Sequence, residues 1–220
     1  MFVGHFGVGF AAKRIAPQVS LGSLFLAVEF ADGLWPLLLL AGIEHVRIVP
    51  GLMKASALDL YDYPWSHSLL ALCVWSALAG GVYYAARRSR WGAWILAALV
   101  ISHWLLDVWA HRPDMPLFPH GPYLGLGLWN SIPATLAIEG LLYLGGLALY
   151  LRSTEPADRV GSWALGSLVI LLPGMWLASL FGPPPPDERT LAISGLFGWV
   201  FIPWGYWIDR HRAPRFEERT

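Results

Sequence analysis

Three side chains in the stretch VISHWLLDVWAH, His103, Asp107 and His111, recur at every fourth residue, a spacing that stacks them along one face of a helix. Neutral imidazole beside carboxylate is a ligand set for a divalent metal, zinc first, with manganese or iron as alternatives. Two aspartates and several histidines would leave such a site near neutral, so it can be buried. The competing reading of the same spacing is a polar face that lines a water pocket or bonds a neighbouring helix.

These residues sit in a chain composed for lipid. Of 220 residues, 56% are hydrophobic, 14% are charged, and the formal net charge is zero. That balance departs from the globular norm and offers nothing global to attract nucleic acid. The sole cysteine, Cys73, has no internal disulfide partner. The basic pair Lys13 and Arg14 follows a glycine-rich apolar run, the reverse of a signal peptide's order, so the first segment is expected in the mature protein.

A hydrocarbon core of about 30 Å takes roughly 20 helical residues, because only internal bonding satisfies the backbone there. Six stretches reach that length: 20–42, 66–84, 91–110, 131–151, 161–181 and 191–208. The run 2–12 spans only about 17 Å as a helix, so it either enters the bilayer part way or lies flat at its surface. The expected fold is all-α: a polytopic transmembrane helical bundle of about six spans plus a short N-terminal half-inserted or interfacial helix. One integral membrane domain covers 1–220, with site-bearing helices in 1–151, supporting helices in 160–209 and a cytoplasmic tail in 210–220.

Lysines and arginines divide 11 to 4 between the two sides of this path, the minority being Arg47, Lys54, Arg112 and Arg189. The richer side, which holds both ends, is therefore expected in the cytoplasm of a bacterial-type plasma (inner) membrane. Gly80-Gly81 and Gly145-Gly146 suggest close helix packing. Trp65, Trp109, Trp129 and Trp207 read as interfacial anchors. His45, His111 and His120 fall in or beside outer connections and read as solvated. The Pro- and Gly-rich segment 118–131 suggests a lid or an entrance.

Glu29, Asp32, His103, Asp107 and Glu139 lie within the spans, with no lysine or arginine there to pair with them. An ionised carboxylate at mid-helix costs roughly 2.5 to 3.5 kcal/mol on insertion scales, so the set needs protonation, an aqueous cavity or a bound cation. At about 1.5 Å per residue, Asp32, His103 and Glu139 reach nearly the same depth, slightly outward of the midplane. His5 joins them if the first segment inserts, and His67 stands about level with His111. Glu139 either acts as general base or stays a buried protonated acid, and Glu29, one turn from Asp32, either orients or joins the ligands or stays protonated against a neighbouring helix.

Gly4-His5, the acidic stretch from Glu29 to Pro36, Ser66-His67-Ser68, and Ser102-His103 with Asp107 resemble, in order and approximate spacing, the bacterial LexA-regulated, membrane-bound metal-dependent hydrolase family (YdjM-like). The resemblance covers roughly the first half of the chain. It implies that His5, Asp32, His67, His103 and Asp107 are metal ligands and that the reaction is a hydrolysis. Two departures stand out: Ala31-Asp32-Gly33-Leu34 lacks the second aspartate of the family's Pro-Asp-x-Asp, and serine replaces threonine at position 66.

The expected function is a membrane-embedded hydrolase in which metal-activated water attacks a lipid or lipid-linked substrate near the outer leaflet. Its partners are then membrane lipids and an amphiphilic substrate, with no nucleic acid. The alternatives are a proton- or metal-ion-coupled transporter and a non-catalytic membrane protein with a structural metal. No nucleophile elbow, Walker loop or CxxC pair suggests a competing chemistry.

Overall fold

The computed structural model describes residues 1–215. Its elements run α1 (Val3–Ala12), α2 (Leu21–Val28), α3 (Phe30–Leu40), β1 (His45–Ile48), β2 (Leu58–Asp62), α4 (Pro64–His67), α5 (Leu69–Arg87) and α6 (Arg90–Ala110). They continue through β3 (Met115–Pro116), β4 (Tyr123–Leu124), α7 (Ile132–Ser153), β5 (Thr154–Pro156), α8 (Arg159–Phe181), α9 (Glu188–Gly195), α10 (Phe201–Arg210) and β6 (Arg212–Pro214). The strands form three antiparallel pairs, β1 with β2, β3 with β4 and β5 with β6.

Among the described residues, five helical stretches are long and apolar enough to cross a membrane: α5, α6, α7, α8 and the continuous stretch Glu188–Arg210. The pair α2 and α3 makes a sixth if it counts as one span. Outward-facing positions on these helices carry apolar side chains, such as Ile170 and Trp163, 77% and 76% exposed. That pattern suits a lipid solvent, where helices do not hide their apolar surface from water. The all-α bundle and its short first helix follow the expectation; the tail call for 210–220 is described only to Arg215, and 216–220, with Arg219 of the charge count, lie outside the described residues.

Two elements differ from the sequence expectation. The stretch 20–42 is not one span: α2 and α3 meet at Glu29 with a bend of 56°. At the bend the Val28 carbonyl accepts a hydrogen bond from His103 Nδ1 at 2.7 Å, so tertiary bonding supports a break that no glycine or proline at the hinge announces. The span expected from 66 begins instead at Leu69, because Ser68 is extended (φ −73°, ψ 146°) and caps α5 by accepting from Ala71 N at 3.1 Å. His67 therefore belongs to the separate turn α4 and enters the bundle from the side.

The short first helix, α1, packs into the bundle. Val3, Phe6 and Phe10 are buried, and Phe6 packs edge-on against Phe25 and Phe201 with centroids 5.1 and 5.3 Å apart. Two glycines allow the approach to α7: a Cβ on Gly7 would strike the Leu142 carbonyl, and one on Gly146 would strike the Gly7 carbonyl. Gly80 likewise faces Ala93 and Ala97 across the α5–α6 hairpin, whereas Gly81 and Gly145 have nothing within 4 Å of a built Cβ. The packing call thus holds for one member of each glycine pair.

On the side of the α1 C-terminus, Lys13 Nζ donates to Asp209 Oδ2 at 2.7 Å and to the Val19 carbonyl at 2.9 Å. Asp209 also accepts from Leu21 N at 2.6 Å, tying α1, α2 and α10 together. Gly146→Val should destabilise the protein by about 1–3 kcal/mol through overpacking, while Gly145→Val should be near neutral. Thermal unfolding of the two variants in detergent checks this, and equal effects would refute the glycine seam.

Candidate metal centre

Asp107 is the hub of the buried polar groups. It projects from the C-terminal third of α6, is 2% exposed, and each of its oxygens faces a different set of partners. Oδ1 lies 3.0 Å from His5 Nε2 and also meets the Met1 α-amine. Oδ2 lies 3.1 Å from His103 Nε2, 3.9 Å from His67 Nε2 and 4.0 Å from His111 Nε2. Asp32, from the first turn of α3, sets Oδ1 3.3 Å from His67 Nε2 and 3.7 Å from His103 Nε2.

Two groups of three result, His5 with His103 and Asp107, and Asp32 with His67 and His103. The ligand atoms of each group lie within 4.8 Å of one another. Bonds of about 2.0–2.1 Å arranged tetrahedrally separate ligand atoms by about 3.3 Å, close to the spacings here. These buried His/Asp groups could therefore hold a metal ion.

The hydrogen bonds behind the imidazoles strengthen that fit. His103 Nδ1 faces the Val28 carbonyl, which only accepts, so Nδ1 carries a proton. In the neutral ring, Nε2 then presents a lone pair, and it has no hydrogen-bond partner among the described residues. His67 Nδ1 lies 2.7 Å from Ser66 Oγ, whose single proton goes to Glu44 Oε2 at 2.6 Å. His67 Nδ1 is thus a donor, and its Nε2 lies 3.3 Å from Asp32 Oδ1, within hydrogen-bond distance of a carboxylate.

His111 repeats the arrangement, with Nδ1 3.1 Å from Asp114 Oδ1. Asp114 is held by Arg112 Nε at 3.1 Å. Tyr63 donates to the Asp114 carbonyl at 3.1 Å; burial, then the nearby Asp114 charge, push its phenol well above the usual range, so it remains a donor. Three imidazoles from α4, α6 and the end of α6 therefore have an outer partner on Nδ1 and direct Nε2 at Asp107. Either a proton or a bound cation lies between these nitrogens and the carboxylates, and outer acceptors on metal-binding histidines supply this orientation. His5 differs, since its Nδ1 is unpartnered and its ring stacks on His103 with centroids 3.9 Å apart.

Glu139, on α7, is 1% exposed and accepts from Phe2 N at 2.8 Å and from Trp129 Nε1 at 3.3 Å. Glu29 sits at the α2–α3 bend with Oε1 unpartnered. Both line, with Asp32, His67, Asp107 and His111, a cavity of about 610 Å³. The helices expected only to support the site also wall this cavity, through Met175 and Trp176 on α8 and Phe201 and Ile202 on α10.

The structure thus gathers His5, Asp32, His67, His103 and Asp107 at one place and sets Glu139 beside the same cavity. The solvated reading of His111 is corrected: it is 3% exposed and faces Asp107. Trp129 is more than an interfacial anchor, because its indole stacks on His111 at 4.4 Å and bonds Glu139. Segment 118–131 packs on the end of α6 through Leu126 N to Val108 O and Gly127 N to His111 O, and Trp129 is its one residue lining the cavity. His45 and His120 stay apart from the site, His45 lying 3.6 Å from Glu188. Glu44 was missed in the sequence; its position beside an outer loop hid a fully buried carboxylate that also accepts from Trp65 N and Ser66 N at 2.7 and 2.8 Å.

Known protein families, curated proteins and solved structures offer no match to this chain. Its function must be argued from the site. Asp107→Ala should remove bound divalent metal, and Glu44→Gln should weaken its affinity about 10- to 100-fold while the protein stays folded. Metal content and chelator competition on the purified variants measure both; wild-type affinity in Glu44→Gln would show that the Glu44–Ser66–His67 chain does not orient a ligand.

Proposed function

We propose that this protein is a membrane-embedded, metal-dependent hydrolase acting on a lipid or lipid-linked substrate near the outer leaflet of a bacterial-type plasma membrane. The observation that carries the reading is the set of imidazole Nε2 atoms, oriented from behind and directed at two carboxylates beside one cavity. The ordered motifs that resemble the LexA-regulated, membrane-bound metal-dependent hydrolases support it. So does the position of the site at the end of the bundle opposite the Lys13–Asp209 contact, which the charge distribution assigns to the outer side.

Asp32, His67, His103 and Asp107 would hold the ion, with His5 and His111 on either side of Asp107. Zinc suits this borderline set best, and manganese or iron also accept it. When bound, the ion supplies Lewis acidity for water and for a carbonyl or phosphoryl oxygen. The protein's own groups do the rest. Glu139, fixed by Phe2 N and the Trp129 indole, takes the proton from water as its oxygen bonds to the substrate centre, and returns it to the departing oxygen as the scissile bond breaks. The apolar walls exclude bulk water from the reacting atoms.

A transporter should string its acids and histidines across the membrane, whereas these gather at one depth. Near-stoichiometric transition metal should accompany wild-type protein purified without chelators, and His103→Ala should lose it. Glu139→Gln should keep the metal and lose about 100-fold or more of product release from lipid extracts. Metal-free wild-type protein would remove the main support for hydrolysis. Ion flux in proteoliposomes that depends on Glu29 and Glu139, without product release, would put a transporter in its place.

A further inference from the structure

Away from the metal-holding groups, the cavity is lined by the tip of the β1–β2 hairpin and by α8, α9 and α10. Lys54, on that tip, is the one lysine or arginine among the described residues that line the cavity. It makes no ion pair or hydrogen bond among them. The tip is built firmly: Val49 N donates to Ala57 O at 2.7 Å, Met53 N to Ser56 O at 3.2 Å, and Ala55 N to Trp129 O at 2.8 Å. Met53 is buried. Since the Trp129 indole stacks on His111, the Ala55–Trp129 bond couples the segment carrying Lys54 to the metal-holding end.

The α8–α10 wall is apolar, with Met175, Trp176, Trp199, Phe201 and Ile202. Gly198 lines it too, and open space lies where its Cβ would stand. A volume of about 610 Å³ falls within the usual range for ligand cavities. At about 30 Å³ per non-hydrogen atom, a water's share of liquid volume, it takes roughly 20 such atoms. That is a glycerophosphate head and the first methylenes of its chains, so the remaining chain length must run out into the bilayer.

We propose that the cavity binds a lipid with a phosphate-class anionic head group, the phosphate against Lys54 and the first acyl methylenes against the α8–α10 wall. The proposal rests on the hydrolase reading for the substrate's role, but binding is measured apart from turnover. A neutral diacylglycerol leaves Lys54 without a counter-charge, and free phosphate leaves the apolar wall in contact with water. Both are therefore weaker occupants than the phospholipid.

Photo-crosslinking in nanodiscs tests this, using phosphatidate with a diazirine near the carboxyl end of one acyl chain and mapping adducts by peptide mass spectrometry. Adducts should fall around Trp176 and Ile202, be competed by unlabelled phosphatidate and not by inorganic phosphate, and exceed those of the matching diacylglycerol probe about tenfold, one charge contact's worth at 1.4 kcal/mol. Lys54→Ala should erase that preference, and Gly198→Phe should reduce wall labelling by both probes with the melting temperature unchanged. Adducts confined to outward positions such as Leu141 and Ile170, equal labelling by the two probes, or an unchanged preference in Lys54→Ala would overturn the proposal. Full competition by inorganic phosphate would do so as well, by revealing a free-anion site. Specific labelling without product release would sink hydrolysis alone; product release with labelling indifferent to Lys54 would sink this inference alone.

Discussion

A carboxylate withdrawn from water into a helical bundle must be met by positive charge or by donors, and Asp107 is withdrawn almost completely. The surrounding architecture answers that requirement. Four imidazoles arrive from α1, α4, α6 and the residue after α6, and a second carboxylate joins from α3. Three of these arrivals depend on an unusual local feature: the glycine seam under α1, the extended Ser68 after α4, and the bend at Glu29 before α3.

Orientation is set one layer further out. Val28, Glu44 with Ser66, and Asp114 each engage a ring Nδ1, so the Nε2 atoms are the ones turned inward to the carboxylates. Part of this layer is backbone and part comes from segments outside the long helices. The loops between spans are therefore structural members of the centre, and the β1–β2 hairpin also lines the cavity beside it.

Helix number and apolarity were legible in the sequence because lipid demands about twenty apolar residues per span, a signal that tertiary packing does not erase. The clustering of Asp32, His103 and Glu139 was legible from depth arithmetic on helices, and Asp107 from its i, i+4 spacing to His103. The bend at Glu29 was not, since it is held by a bond from His103, seventy-five residues away. His111 and Glu44 were misread or passed over for a related reason: adjacency to a loop suggests solvent, and only the fold of residues 43–65 and 111–130 shows that these two side chains are buried within otherwise partly exposed loops. Gly81 and Gly145 carried the same sequence signal as their neighbours, and helix rotation alone decided which glycine met a partner.

The contact between α1 and α7 has a consequence for biogenesis. Chains leave the ribosome from the N-terminus, so α1 emerges long before the helix that receives it. Until α7 has been inserted, Gly7 has no Gly146 to rest on, and His5 has no settled place beside Asp107. The centre is thus assembled last although its first side chain is made first. An ion held by both groups of ligands would therefore be captured only once α1 and α7 have met.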